Sequence, residues 1–382
     1  MTITVTGGPA YGLSWNKTTD AYTRVASAAG LTAGAAFNAP SGGAWGLRRC
    51  NLWDTDGTVT AYYGDRCYTD TDVTNMGQCM VQIPKFYYYM EYDAGTTTYY
   101  WFVTTVAATT INVGLGVGAQ AVKIHPAFTR DTATRNNIYL SAYEASLNGT
   151  MLESKAGVAP KVSYSLTQHR TAARARVGAV ANKWEVQDYL STCAIQLLYL
   201  IEYGGFNSQL LLGGGLAAAA SVTNTGLTTA YGNSSYGVVA PDYVHAMSYR
   251  GIENFYGNIY RVIDGLHIEE LVPAIANHDF NDTYASVHPY VISTAQPLWT
   301  VDGTIGDIKV DATYDYGFLP SAVGGTAATK LCDGYSHAHT NKIAMTGGPY
   351  NGGTANGMFG LALFAVAADA LAYAGSRLMY IG

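Results

Sequence analysis

Apolar residues in the first hundred positions come in short runs separated by Gly, Asp and Asn, a pattern of β-strands and turns. Residues 58–63 and 80–83 form two such runs, and Pro84 closes the second. The aromatic runs at 85–92 and 99–103 predict two strands joined by a loop at 93–98. These strands either pair with each other or offer an edge to a neighbouring subunit. A Gly-rich span at 112–118 marks a boundary, and further strands are predicted at 121–124 and 138–146. Between about 183 and 203 the period changes: Leu190, Cys193 or Ala194, Leu197 and Ile201 recur at helical spacing. Ile195, Leu198 and Leu200 make the other side apolar too, so this helix is expected to be covered on most of its surface, with Gly204 and Gly205 as its stop. A second, weaker helix at 168–177 carries Arg170, Arg174 and Arg176, read as a solvated face or as internal ion pairs in preference to a basic patch.

The densest stretch is 248–266, SYRGIENFYGNIYRVIDGL. Gly257 and Asn258 suit a tight turn, Ile259, Val262 and Ile263 favour an extended strand, and Asp264-Gly265 is a hairpin signal that should end it. The expectation is a buried central strand with polar groups fixed at both ends. Residues 204–247, rich in Gly, Ala, Ser, Thr and Asn, read as an ordered long loop or hairpin pair. Residues 267–345 give short strands and loops. The tail from 346 is Gly-rich, then almost uncharged, and predicts a buried final strand at 378–381. One main helix among many short strands predicts an α+β fold, divided into a β-rich region 1–119 and a second domain 120–382.

Composition narrows the function. Charged residues make up 13% of the chain, about half the usual share, whereas 43 Gly and 31 Tyr suit binding loops and aromatic strands alike. A net charge of −6 and the lack of any basic run argue against nucleic acid or an anionic membrane surface as partner. No apolar run reaches the roughly 18 to 20 residues of a membrane span. The N-terminus has neither a positive n-region nor an apolar h-region, so synthesis in a reducing cytoplasm without a secretory signal is expected. Cys50, Cys67, Cys79, Cys193 and Cys332 are odd in number, scattered and without a C-x-x-C pair, which suggests neither a disulfide framework nor a zinc site.

Three groups of polar residues invite chemistry. His337 and His339 beside Asp333 have metal-compatible spacing, although plain surface histidines are the expected reading. Asp302, Asp307, Asp311 and Asp315 could offer oxygen ligands to calcium, but their spacing fits no EF-hand and strand-end positions account for them as well. Glu253, Asp264 and Glu269 with Arg250 are read as a buried ion-pair or hydrogen-bond network in preference to an acid–base site. No cofactor is expected, with calcium the one exception left open, and no nucleophile motif is present.

Three segments together resemble one family. Gly257-Asn258-Ile259-Tyr260-Arg261-Val262-Ile263-Asp264 resembles the G-N-V-W-E-W-x-x-D strand of C-type-lectin-like domains of the formylglycine-generating-enzyme type. Thr346-Gly347-Gly348-Pro349-Tyr350-Asn351 resembles the R-G-G-S-W motif, and Gly375-Ser376-Arg377-Leu378 the closing G-x-R strand. The nearest likeness is to phage tail proteins and to the variable proteins of diversity-generating retroelements, of the phage tropism determinant type. The chain departs from the pattern at Tyr260 and Val262, where the family has Trp, at Arg261, where it has Glu, and at Thr346, where it has Arg. The enzymes of that group need a C-terminal cysteine pair, and no cysteine follows Gly348 here.

The resemblance implies a C-type-lectin-like domain over 120–382, attached to a virion by the β-rich region 1–119, which also helps to form a homotrimer. It implies a non-enzymatic receptor-binding protein of a tail fibre or tail tip, with other virion proteins and a host-surface protein or glycan as partners, and no membrane insertion. By the same resemblance the ligand face maps onto Tyr350, Asn351, Thr354, Asn356, Met358, Phe359 and Asp369. The scaffold maps onto Gly257, Asn258, Tyr260, Asp264, Gly347, Gly348, Gly375 and Arg377. The alternatives are an architectural head or tail decoration protein and, further away, a formylglycine-generating-type oxidase.

Overall fold

The computed structural model describes residues 2–38, 45–176, 183–270, 272–281, 290–291 (backbone only), 300–310, 313–338 and 341–382. The strands used below are, in chain order, β1 (Tyr11–Asn16), β2 (Ala21–Ala26), β3 (Arg48–Leu52), β4 (Val59–Tyr62), β5 (Gln78–Pro84), β6 (Tyr87–Asp93), β7 (Thr98–Thr104) and β8 (Asn137–Ser141). After the helices α1 (Leu166–Arg174) and α2 (Tyr189–Tyr203) come β9 (Tyr260–Glu269), β10 (Val272–Ile275), β11 (Gly303–Ile308), β12 (Pro320–Val323), β13 (Gly334–His337), β14 (Lys342–Thr346), β15 (Leu361–Leu363) and β16 (Leu378–Ile381).

The expected α+β, C-type-lectin-like class is overturned: among the described residues 35% are strand and 13% helix, a mostly β fold built of several sheets. The physical reason lies in the apolar pattern. Apart from α1, only α2 has apolar residues at helical period for more than a turn or so, while the β-branched and aromatic runs elsewhere fit a pleated surface.

The aromatic strands β6 and β7 pair antiparallel from Tyr87↔Thr104 to Asp93↔Thr98. With β1 and β2 they form a five-stranded sheet in the order Lys123–Ile124, β6, β7, β1, β2. A six-stranded sheet follows the order Trp184–Val186, β16, β8, β5, β3, β4. It joins strands from before and after the expected boundary at 119, since β5 pairs with β8 over five residues and β8 with β16. The third sheet runs Tyr290–Val291, β10, β9, β14, β15, β13, β11, β12, with Ala374–Gly375 added in parallel to β9.

α2 lies at the centre of the main core, with every residue from Tyr189 to Glu202 buried. It starts later than its periodicity suggests because Trp184–Val186 is drawn into the sheet beside β16. Asp188 then caps α2 by accepting from the Ser191 N–H at 2.8 Å, and Gly204 closes it in the left-handed conformation at φ 71°. Around α2, Phe206 packs edge-on against Trp15 and Phe359 at 5.0 and 4.9 Å between ring centroids. All three arginines of the α1 region form ion pairs: Arg170 with Asp264, Arg174 with Glu185 and Arg176 with Asp54. Among the described residues no helix is long and apolar enough to cross a membrane.

β9 differs from its expected form. It does not stop at Asp264-Gly265 but continues to Glu269 through a bulge, the register with β14 shifting between Ile263 and His267. Gly265 supplies the left-handed residue at φ 73°, and a Cβ there would lie 2.9 Å from the Ala276 carbonyl. A Gly that signals a hairpin turn also suits a bulge, and here tertiary pairing on both sides of the strand decides.

Candidate functional site

The three segments that carry the family resemblance meet at one residue. In β9, Arg261 is opposite Thr346 of β14 on one side and Gly375 on the other. Its side chain is fully buried, lies over the Phe255 ring, and donates to the Asn254 carbonyl at 2.8 Å and the Thr346 hydroxyl at 3.4 Å. Arg377, equally buried, donates to the Ser141 carbonyl at 2.7 Å and also reaches the carbonyls of Glu253 and Asn254. Glu144 faces both guanidinium groups and accepts from Asn258 Nδ2 at 2.5 Å. Burial pushes the Glu144 carboxyl up to about 7, against the opposing pull of Arg377, Asn258 and Arg261. Burial, together with repulsion from Arg377, lowers Arg261 to about 9.

The turn before β9 is held from several sides. Gly257 has φ 80°, and a Cβ there would lie 2.8 Å from Leu216 backbone atoms. Asn258 takes φ 63°, and its side chain both accepts from and donates to the Thr223 backbone, at 2.8 and 3.1 Å. Asp264 receives two bonds from Arg170, at 2.7 and 3.0 Å. The acidic residues near β9 do not form one constellation. Glu253 accepts from the backbones of Gly226 and Thr228, Arg250 pairs with Glu202, and Glu269 is half-buried at the strand end.

Tyr260, next to Arg261, projects to the opposite side, as alternate strand residues must. There it forms one wall of an open groove of about 300 Å³. Gly303, Gly334, Gly348 and Gly360 line the groove, and Tyr335, only 2% exposed, lies at its floor. Thr304 and Ser336 add hydroxyls, Ala355 and Leu361 complete the lining, and none of these residues is charged. Beside the groove, Phe364 meets the Tyr260 ring edge-on at 6.2 Å and Tyr373 lies tilted at 6.1 Å. Phe364 is 37% exposed, so the groove continues onto an open aromatic shelf.

The residues expected to contact a ligand are divided between surface and core. Gly348 and Tyr260, expected as scaffold, line the groove. Tyr350 is half-buried, and its carbonyl accepts from Ala219. Asn351 and Thr354 are exposed on the turn behind Ala355, while Asp369 is exposed and accepts from the Val366 N–H within its own turn. Asn356, Met358 and Phe359 are buried in the chain as it stands. Asn356 donates to the Pro349 carbonyl at 2.6 Å, Met358 donates from its backbone to Ser208 Oγ, and Phe359 packs on Phe206 and Phe318. They are buried because this segment turns inward to enter β15. Gly303, Thr304, Gly334, Tyr335, Ser336 and Gly360 were not anticipated. The only available signal was the repeated coupling of Gly to a hydroxyl or aromatic residue in Gly303-Thr304 and Gly334-Tyr335-Ser336.

The metal candidates separate. Asp333 is buried and accepts from the Phe359 N–H at 2.7 Å, whereas His337 bonds to Asp302 at 2.8 Å. His339 and Asp311 lie outside the described residues. Asp307 pairs with Lys17 and Asp315 with Lys123, so the aspartates serve separate contacts. No group of three or more metal-binding side chains occurs among the described residues. The five cysteines are free, and burial raises Cys50 and Cys332 to about 12. In comparisons with known proteins, the chain matches no family model and no curated protein.

Proposed function

We propose that this chain is a receptor-binding protein of a phage virion, carried on a tail fibre or tail tip, which recognises a host-surface ligand through the face that holds the Tyr260–Tyr335 groove. One observation carries the reading. The strand motif, the Gly-Gly motif and the closing motif converge on Arg261, and the same strand presents Tyr260 to an uncharged, glycine-lined groove. Such a surface suits recognition: aromatic rings give contact area with few rotatable bonds, and the Thr304 and Ser336 hydroxyls can hydrogen-bond. The N-terminal β region attaches the protein to the virion, and assembly as a homotrimer raises a modest affinity per site through repetition. Against the oxidase alternative, which needs a reactive cysteine pair, Cys50, Cys79, Cys193 and Cys332 are buried and unpaired.

The test is competition. Purified full-length protein should block adsorption of its phage to susceptible cells, with half-blocking in the range of the protein's own affinity for those cells. A protein that binds no susceptible cell is a decoration protein instead.

A further inference from the structure

Building on that reading, we infer that the groove between Tyr260 and Tyr335 is a subsite for one uncharged sugar unit of a host glycan, bound without a metal ion. A pyranose has two kinds of surface, an apolar face of C–H groups and a rim of hydroxyls. The groove offers a partner to each. Tyr260 gives ring surface, extended by Phe364 and Tyr373 beside it, while Tyr335 lies buried at the groove's floor. The rim would meet the hydroxyls of Tyr260, Thr304 and Ser336. Among the described residues, the hydroxyls of Tyr260, Thr304 and Ser336 have no hydrogen-bond partner, so they are available to a ligand.

Charge selects among sugars. With no Lys, Arg or His among the described residues of the lining, a sialic acid, uronic acid or sulfated sugar would give up hydration of its anion for nothing in return. With no Asp or Glu among them, a calcium ion bridging two sugar hydroxyls would find no carboxylate there. An apolar peptide side chain fits less well, because it would bury the Thr304 and Ser336 hydroxyls without partners. A volume of about 300 Å³ lies at the small end of ligand sites, which suits one residue of a longer chain.

Two measurements on the full-length protein test this. In the first, glucose, galactose, mannose and N-acetylglucosamine are titrated by ligand-observed NMR, with glucuronic acid and N-acetylneuraminic acid alongside, each in EDTA. At least one neutral sugar should bind and the two acids should not. Tyr260→Ala should weaken that binding about tenfold. Gly360→Ala, where a Cβ meets nothing closer than 3.4 Å, gives a second variant that folds and should also weaken it. In the second measurement, binding to susceptible cells is compared before and after mild periodate oxidation of their glycans, and should be lost. Binding to cells that survives periodate, with no sugar bound in the first measurement, overturns the sugar inference and leaves the receptor reading intact. Neutral sugar binding by a protein that binds no cell overturns the receptor reading and leaves the groove chemistry intact. Equal binding of the acids, or loss of sugar binding in EDTA, overturns the inference as stated.

Discussion

Gly347 and Gly353 lie six residues apart in the tail, both with positive φ, at 84° and 59°. Replacing each with Ala separates backbone strain from packing against the buried arginine. At Gly353 a Cβ meets nothing within 4 Å. The cost there is the left-handed conformation, about 1–2 kcal/mol, offset by about 0.4–1 kcal/mol through the stiffer unfolded chain. Gly353→Ala should therefore destabilise by about 1 kcal/mol. At Gly347 the same backbone terms apply, but the Cβ would lie 2.5 and 2.7 Å from the two terminal nitrogens of Arg261. The guanidinium must move away from the Asn254 carbonyl and the Thr346 hydroxyl. Losing a buried hydrogen bond to a charged group costs about 1.5–3 kcal/mol, which brings Gly347→Ala to about 3–4 kcal/mol. Equilibrium urea unfolding of both variants gives the comparison. If they fall within about 0.5 kcal/mol of each other, near the limit of additivity, then Arg261 is not seated over Gly347 and the convergence of the three motifs fails.

Asp264→Asn leaves Arg170 buried without its carboxylate partner, and should cost about 3–5 kcal/mol in the same assay. Gly265→Val forces a β-branched residue into φ 73° with its Cβ 2.9 Å from the Ala276 carbonyl. Hydrogen exchange at Ile268, beyond the bulge, should accelerate more than at Val262 before it. Stability should also fall on acidification. Burial lowers His125 and His169 to about 3, so between pH 6.5 and 3 the unfolded chain binds protons that the folded chain does not. The stabilising effect is complete above pH 6.5 and shrinks below it, by about 2 kcal/mol per histidine at pH 5. His125→Phe, which keeps a ring among Phe86, Phe128 and Tyr316, should remove about half of that loss; an unchanged pH profile would contradict the buried neutral state.

Local signals were legible in the sequence where one residue type has few physical options. The aromatic hairpin of β6 and β7 followed from two apolar runs around a polar loop, and the end of α2 followed from Gly204. The start of α2 was not legible, because residues 184–186 pair with β16, a strand nearly two hundred positions away. Asp264-Gly265 misled for a related reason: the same left-handed glycine serves a turn or a bulge, and only the partners β10 and β14 distinguish them. The α+β expectation gave too much weight to one well-patterned helix. Short strands separated by long loops carry a weaker signal per element than a helix does, and here strand residues far outnumber helical ones. Met358 and Phe359 were expected at the surface from their place in a motif, although their apolar character pointed to the core that they occupy.

The groove could not be read from motif spacing because its walls come from segments far apart in sequence, at 260, 303–304, 334–336, 348–361 and the shelf at 364–373. What unites them is the two-residue alternation of β9. Tyr260 and Val262 pack on the side of Met345, Ala362 and Ala374, whereas Ile263 belongs to the core around α2, and Arg261 lies among the buried polar groups. Adjacent residues thus belong to different environments, one facing the groove and one fixing the sheet. The chain departs at both from the motif it resembles, yet the consequences differ. Tyr260 in place of Trp leaves a smaller ring with a hydroxyl at the groove wall, which alters what can be bound. Arg261 in place of Glu puts a cation beside Arg377, and the fold accommodates it only because Glu144, the Asn254 carbonyl and a bare Gly347 surround it. The glycine that allows this arginine is immediately followed by Gly348, which lines the groove. The seat of the buried arginine and the lining of the groove therefore depend on the same two-residue turn.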